Sequence, residues 1–141
     1  MPTAPIPEGT IARIEFRIGE DAMRAYRAIS GDDNPLHDDA AFARRRGFAG
    51  PVVYGGLVVA QVSRLLGTRL PGHGCVWRAL SLRFRKPLYV DQPATLRGTV
   101  THASAELGTV ELALCVEAGG RRIAEGEASA CLVREREAVD G

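Results

Sequence analysis

Hydrophobic and polar positions alternate from Ile11 to Ile18, with Ile11, Ile14, Phe16 and Ile18 set among Ala12, Arg13, Glu15 and Arg17. That period of two predicts a strand over this segment. The period then lengthens. Between Asp21 and Ile29 the apolar residues Ala22, Ala25, Tyr26 and Ile29 fall at helical spacing, and Ser30-Gly31 supplies a C-terminal stop. A second, shorter helix is predicted in Asp38-Asp-Ala-Ala-Phe-Ala-Arg-Arg-Arg46, with acids in its first turn, bases in its last and Gly47 beyond. Arg44, Arg45 and Arg46 then read as a solvated last turn, or as charges close to a bound phosphate.

From Leu57 to Leu66 the run Leu-Val-Val-Ala-Gln-Val-Ser-Arg-Leu-Leu is apolar on nearly all sides. A helix of that kind is expected to be wrapped by other structure. Beyond Pro71-Gly-His-Gly74 everything reads as strand: 75–87, 94–102, 109–118 and 122–133. Glu106-Leu-Gly108 marks one turn, and Gly119-Gly120 between two alternating runs marks a hairpin. One antiparallel sheet with helix packed on it follows, an α+β domain. The tail 134–141 lacks the apolar content to pack and is expected to fray.

Composition narrows the picture without changing it. At 141 residues and 45% hydrophobic, the chain fits a single domain, 1–141. Eighteen basic and 17 acidic side chains leave a formal net charge of +1, so no global field draws in nucleic acid. The first residues lack the features of a secretion signal and no apolar run reaches membrane-spanning length, so a cytoplasmic protein with no membrane partner is expected. Cys75, Cys115 and Cys131 are odd in number and widely spaced, which argues against disulfides and against a metal site. They are expected as reduced core residues.

Two stretches carry chemistry. Ser30-Gly-Asp-Asp-Asn-Pro-Leu-His37 holds Asp32, Asn34 and His37 in one turn-forming loop. A carboxylate beside an imidazole can take a proton from water and deliver one to carbon near neutral pH. Asn34 can orient that water or hold the loop. The same residue types also build any tight loop, and Asp32 or Asn34 equally suits a helix cap. The second stretch, Phe48-Ala-Gly-Pro-Val-Val-Tyr-Gly-Gly56, leads into the apolar helix. Unpaired N–H groups at a helix start suit a carbonyl oxygen that gains negative charge, and Gly55 is the first choice for that donor. The alternative is that Gly55 and Gly56 only permit close packing.

Together, Ser-Gly-Asp-x-Asn-Pro-Leu-His, Phe-x-Gly-Pro-Val-Val-x-Gly and the apolar helix resemble the MaoC-like, (R)-specific enoyl-CoA hydratase family. The resemblance implies a hotdog fold, a curved antiparallel sheet around a central helix, and a homodimer with an acyl thioester bound near the subunit interface. It further implies that Asp32 and His37 activate water and that the Gly55 amide binds the thioester carbonyl. The substrate would carry coenzyme A or the phosphopantetheine of an acyl carrier protein, with no separate cofactor. The implied reaction is reversible hydration of a trans-2-enoyl thioester to an (R)-3-hydroxyacyl thioester, in fatty acid or polyketide metabolism.

Where the family usually has His-Gly-Met before the core helix, this chain has Tyr54-Gly55-Gly56. Tyr54 and Gly56 are therefore expected to border the substrate, with room at Gly56 for a bulkier acyl group. In Leu82-Arg-Phe-Arg-Lys-Pro-Leu88 apolar and basic residues alternate, so Arg83, Arg85 and Lys86 can meet carrier phosphates or form a solvated face. Trp77, His73 and His102 read as packing or surface. A hotdog thioesterase is the nearest rival, because fold does not fix function, and a non-catalytic hotdog partner subunit is another. The Asp32/His37 loop argues against both.

Overall fold

The computed structural model describes residues 6–133 and 135, so the frayed tail expected at 134–141 lies outside it apart from Glu135. Strand β1 (Ile11–Phe16) leads into helix α1 (Glu20–Ser30), a one-turn 3₁₀ segment (Pro35–His37), α2 (Ala40–Arg45) and α3 (Gly55–Thr68). Four strands complete the chain: β2 (Cys75–Phe84), β3 (Ala94–Ser104), β4 (Thr109–Ala118) and β5 (Arg121–Leu132). All pairings are antiparallel, in the order β1-β3-β4-β5-β2. Among the described residues no helix is long and apolar enough to cross a membrane.

Alternation decides which face of the sheet is buried. Along β4 the residues Val110, Leu112, Leu114, Val116 and Ala118 turn inward, while the residues between them face out. Across the inner face lies α3, burying Val58, Val62, Leu65 and Leu66. Each contributes roughly 1.5–3 kcal/mol on burial. The helix touches both β1 and β2, the two opposite edges of the sheet, as well as β3. A flat sheet cannot bring both edges to one helix, so the sheet is curved around it, as the hotdog expectation requires. Register shifts at Trp77/Ala79, Val100/His102 and Val116/Glu117 add the bulges that such bending needs. At Gly98 a Cβ would lie 2.6 Å from Leu65 Cδ2, so only glycine lets β3 close onto the helix.

Three expectations change. Helix α3 is not enclosed on all sides, since Ala60, Ser63 and Arg64 are exposed on the face turned from the sheet. Strand β2 stops at Phe84 because the Arg85 and Lys86 N–H groups both turn to the Ile123 carbonyl, ending the ladder before Pro87. The three cysteines are free but only half-buried, with Cys115 on the outer face opposite Arg97.

Candidate active site

The loop after α1 is built from local side-chain to backbone hydrogen bonds. Gly31, at φ 74°, takes the left-handed cap conformation and its N–H returns to the Arg27 carbonyl at 2.9 Å. The Asp32 N–H then donates to Ser30 Oγ at 3.0 Å, and the Asn34 N–H donates to Asp32 Oδ1 at 3.1 Å. Asn34 Oδ1 in turn accepts from the Leu36 N–H at 3.1 Å, with Pro35 opening the 3₁₀ turn. Asn34 is thus a cap that shapes the loop. Asp39 caps α2 through the Phe42 N–H, and an Arg27–Asp38 ion pair at 2.8 Å ties the loop back to α1.

His37 is held from two sides. Its Nδ1–H donates to the Val52 carbonyl at 2.6 Å, which leaves Nε2 as the nitrogen with a free lone pair in the neutral ring. The ring stacks on Tyr54 at 3.9 Å between centroids and 26° between planes. Val52 is itself fixed, because its N–H donates to the Leu36 carbonyl, and the next residue, Val53, donates to the Leu88 carbonyl. Segment 52–53 therefore sits between the loop and the chain that follows β2.

Tyr54 is 3% exposed, and its hydroxyl donates to the Asp32 backbone carbonyl at 2.7 Å. Burial, together with the Asp32 and Asp38 carboxylates, raises its pKa above the ordinary tyrosine value, so the hydroxyl stays protonated. Gly55 opens α3 immediately afterwards. Among the described residues its N–H has no hydrogen-bond acceptor, as expected in the first turn of a helix.

His37 and Gly55 line one cleft of about 330 Å³, with Phe48, Val58, Phe84 and Leu88 as apolar walls and Arg85 and Lys86 beside them. Asp32 does not line it. Asp32 is exposed, and it is the Asp32 backbone carbonyl, not the carboxylate, that Tyr54 connects to the His37 ring. A groove of about 670 Å³ on the outer face, carrying Arg13, Arg97, Glu15 and Glu117, contains none of the motif residues.

Several expected site residues fall elsewhere. Asn34, Tyr54 and Gly56 do not border the cleft, and the space beside Gly56 is not free for a larger acyl group. A Cβ at that position would overlap the Tyr26 hydroxyl. Arg83 stands opposite Glu125 in the β2–β5 register, on the outer face and outside the cleft that His37 lines. Arg85 is bound to Glu125 at 2.7 and 2.9 Å, whereas among the described residues neither Arg83 nor Lys86 has an ion-pair partner. Glu125 is held below the usual carboxylate pKa by Arg85 first and Arg122 second. Arg44, Arg45 and Arg46 are exposed, with Arg46 lying over the Phe42 ring.

Sequence reasoning also passed over residues that the structure brings in. Phe84 is 52% exposed, and a Cβ at Gly55 would lie 3.2 Å from its Cζ, so its ring stands over the start of α3. The signal was an aromatic on the inward side of a strand that ends at a Pro-containing turn. The Val52 carbonyl had no signal, since a backbone acceptor leaves no trace in side-chain identity.

A loop imidazole with a fixed tautomer and an open helix amide share one cleft beside a curved sheet wrapped around one helix, the arrangement that the motif resemblance implies for a MaoC-like hotdog protein. The chain belongs to the MaoC-like domain family, whose model matches residues 3–124. It is 41% identical over 93 residues to the (R)-specific enoyl-CoA hydratase of Aeromonas caviae, spanning 66% of this chain and 69% of that protein. With the (R)-specific enoyl-CoA hydratase of Rhodospirillum rubrum it shares 32% identity over 124 residues, 88% and 86% of the two chains. The solved structure of the A. caviae (R)-hydratase superposes with a TM-score of 0.87 at 34% identity, covering 93% of this chain and all of that one.

Proposed function

We propose that this protein is a hydro-lyase that reversibly adds water to trans-2-enoyl thioesters, giving (R)-3-hydroxyacyl thioesters. The observation that carries the reading is that His37, with Nδ1–H committed to Val52, and the unpaired Gly55 N–H line the same apolar cleft. The A. caviae and R. rubrum relatives, named for this activity, support it.

In the forward direction the Gly55 N–H donates a hydrogen bond to the thioester carbonyl oxygen and stabilises the negative charge that develops on it. In this reading His37, which lines the cleft, holds the water, and the exposed Asp32 carboxylate of the same loop turns toward it to complete the pair. One takes its proton as hydroxide bonds to C3, and one delivers a proton to C2 as the enolate collapses, so water is added with no net change in the protein's protonation. His37 Nε2 suits either step. No metal or redox cofactor enters this scheme. Coenzyme A or phosphopantetheine arrives as part of the substrate, and its phosphates would meet Lys86 and Arg85, which line the cleft.

A homodimer completes the proposal. Strand β2 is an edge strand, yet Val76 (53% exposed), Trp77 (36%) and Phe84 (52%) leave apolar surface along it. A second copy covering that edge would lie beside the Phe84 wall of the cleft. Cytoplasmic residence suits a substrate carried on coenzyme A or an acyl carrier protein.

The test is hydration of crotonyl, octenoyl and branched enoyl thioesters, following loss of enoyl absorbance alongside release of free thiol. Hydration without thiol release is expected, and Asp32→Asn and His37→Ala should each lose about 10²–10⁴-fold. Thiol release without hydration would make the protein a thioesterase. Loss of less than about tenfold in both variants would remove the assignment.

A further inference from the structure

We propose that Tyr54 is a positioning residue for the hydration step, buttressed by Tyr26 through the space that Gly56 leaves open. The inference rests on the site reading above. Tyr54 does not border the cleft, so it has no direct contact to offer a substrate there. Instead it reaches both water-handling residues at once. Its hydroxyl holds the backbone carbonyl of Asp32 at 2.7 Å, and its ring lies against the His37 imidazole at 3.9 Å. With Nδ1 bound to Val52, His37 is fixed on one edge and one face, leaving Nε2 a single direction.

Behind Tyr54 lies a second ring. Tyr26, from α1, stands 4.6 Å from it at 38°, and the Tyr26 hydroxyl rests over the Gly56 backbone. The series Tyr26, Tyr54, His37 thus runs from α1 across the start of α3 into the loop. Any side chain at position 56 overlaps Tyr26 and has to push it from Tyr54. Gly56, read from sequence as extra room for substrate, is occupied by protein.

Positioning acts on the transition state, where misplacement by a fraction of an ångström is costly, more than on ground-state binding. Tyr54→Phe keeps both ring contacts and removes only the hydroxyl. It is expected to lower kcat roughly tenfold, the scale of one lost hydrogen bond, with KM within about twofold of wild type. Tyr26→Ala and Gly56→Met should each lower kcat, whereas the Tyr26→Ala/Gly56→Met pair, which fills the vacated space with the new side chain, should recover much of that loss. Thermal melts of every variant keep unfolding apart from rate.

A Tyr54→Phe enzyme within about twofold of wild type in kcat, or one with raised KM and unchanged kcat, overturns the proposal. So does a double variant whose loss is the product of the single losses. A wild-type protein that hydrates no enoyl thioester, or an Asp32→Asn variant at full rate, overturns the site reading instead and takes this inference with it.

Discussion

Removing one backbone hydrogen tests the role of Gly55. Proline lacks an N–H, and Gly55 occupies the first position of α3, where proline's fixed φ is compatible with a helix and the N–H has no intrahelical partner. The preceding residue, Tyr54, has φ −57° and ψ 130°, the extended conformation that a residue before proline prefers. Gly55→Pro is therefore expected to fold, with stability within about 1 kcal/mol of wild type by urea denaturation. Loss of an oxyanion donor should lower kcat by about 10²–10³-fold, or 2.7–4 kcal/mol.

The added carbon atoms need a control. A Cβ at Gly55 meets Phe84 Cζ at 3.2 Å, and Phe84 is half-exposed, so its ring can give by a few tenths of an ångström. Gly55→Ala makes the same contact and keeps the N–H. The ratio of the two variants in an enoyl thioester hydration assay isolates the hydrogen. If Pro and Ala fall together within about threefold, the N–H stabilises no charge that decides the rate, and the oxyanion assignment is wrong.

Two other expectations concern assembly and pH. Val76→Glu places a carboxylate on the exposed apolar part of β2, and light scattering coupled to size exclusion should show a dimeric wild type and a monomeric variant; a dimer in both would move the interface off this edge. Because the Tyr54 pKa is raised above 10.0 in the folded chain, the unfolded chain releases that proton first. The stability it contributes is complete below about pH 10 and is lost as pH rises through the folded value. Tyr54→Phe should flatten the decline in urea midpoint above pH 10; an unchanged slope would show that Tyr54 does not titrate with unfolding.

Where patterning is periodic and contacts are local, the chain is readable. The alternation through Thr109–Ala118 and the Gly119-Gly120 turn, both glycines at positive φ, fixed the β4–β5 hairpin. The Asp-x-Asn-Pro-Leu-His loop was legible as a unit because its bonds run over two residues, from Ser30 to Asp32 to Asn34 to Leu36. Helix α3 was placed two residues short at each end, at its start because Gly55 and Gly56 carry turn signals, although an N-terminal first turn tolerates them. The surroundings of Arg83 and Arg85 were not legible for a different reason. The alternation holds to Phe84, but it took the cross-strand register to bring Glu125 opposite Arg83 and within reach of Arg85. Tyr26 over Gly56 joins residues thirty apart, and no local rule links a helical tyrosine to a glycine on another helix.

That last contact also constrains how the sequence can change. Starting from this chain, a side chain introduced at position 56 collides with Tyr26, while loss of the Tyr26 ring alone leaves a void beside Tyr54. The two positions form a lock whose parts fit only each other. A change at either position alone therefore disturbs the ring that Tyr54 rests on, and a larger residue at 56 fits only when Tyr26 gives way with it.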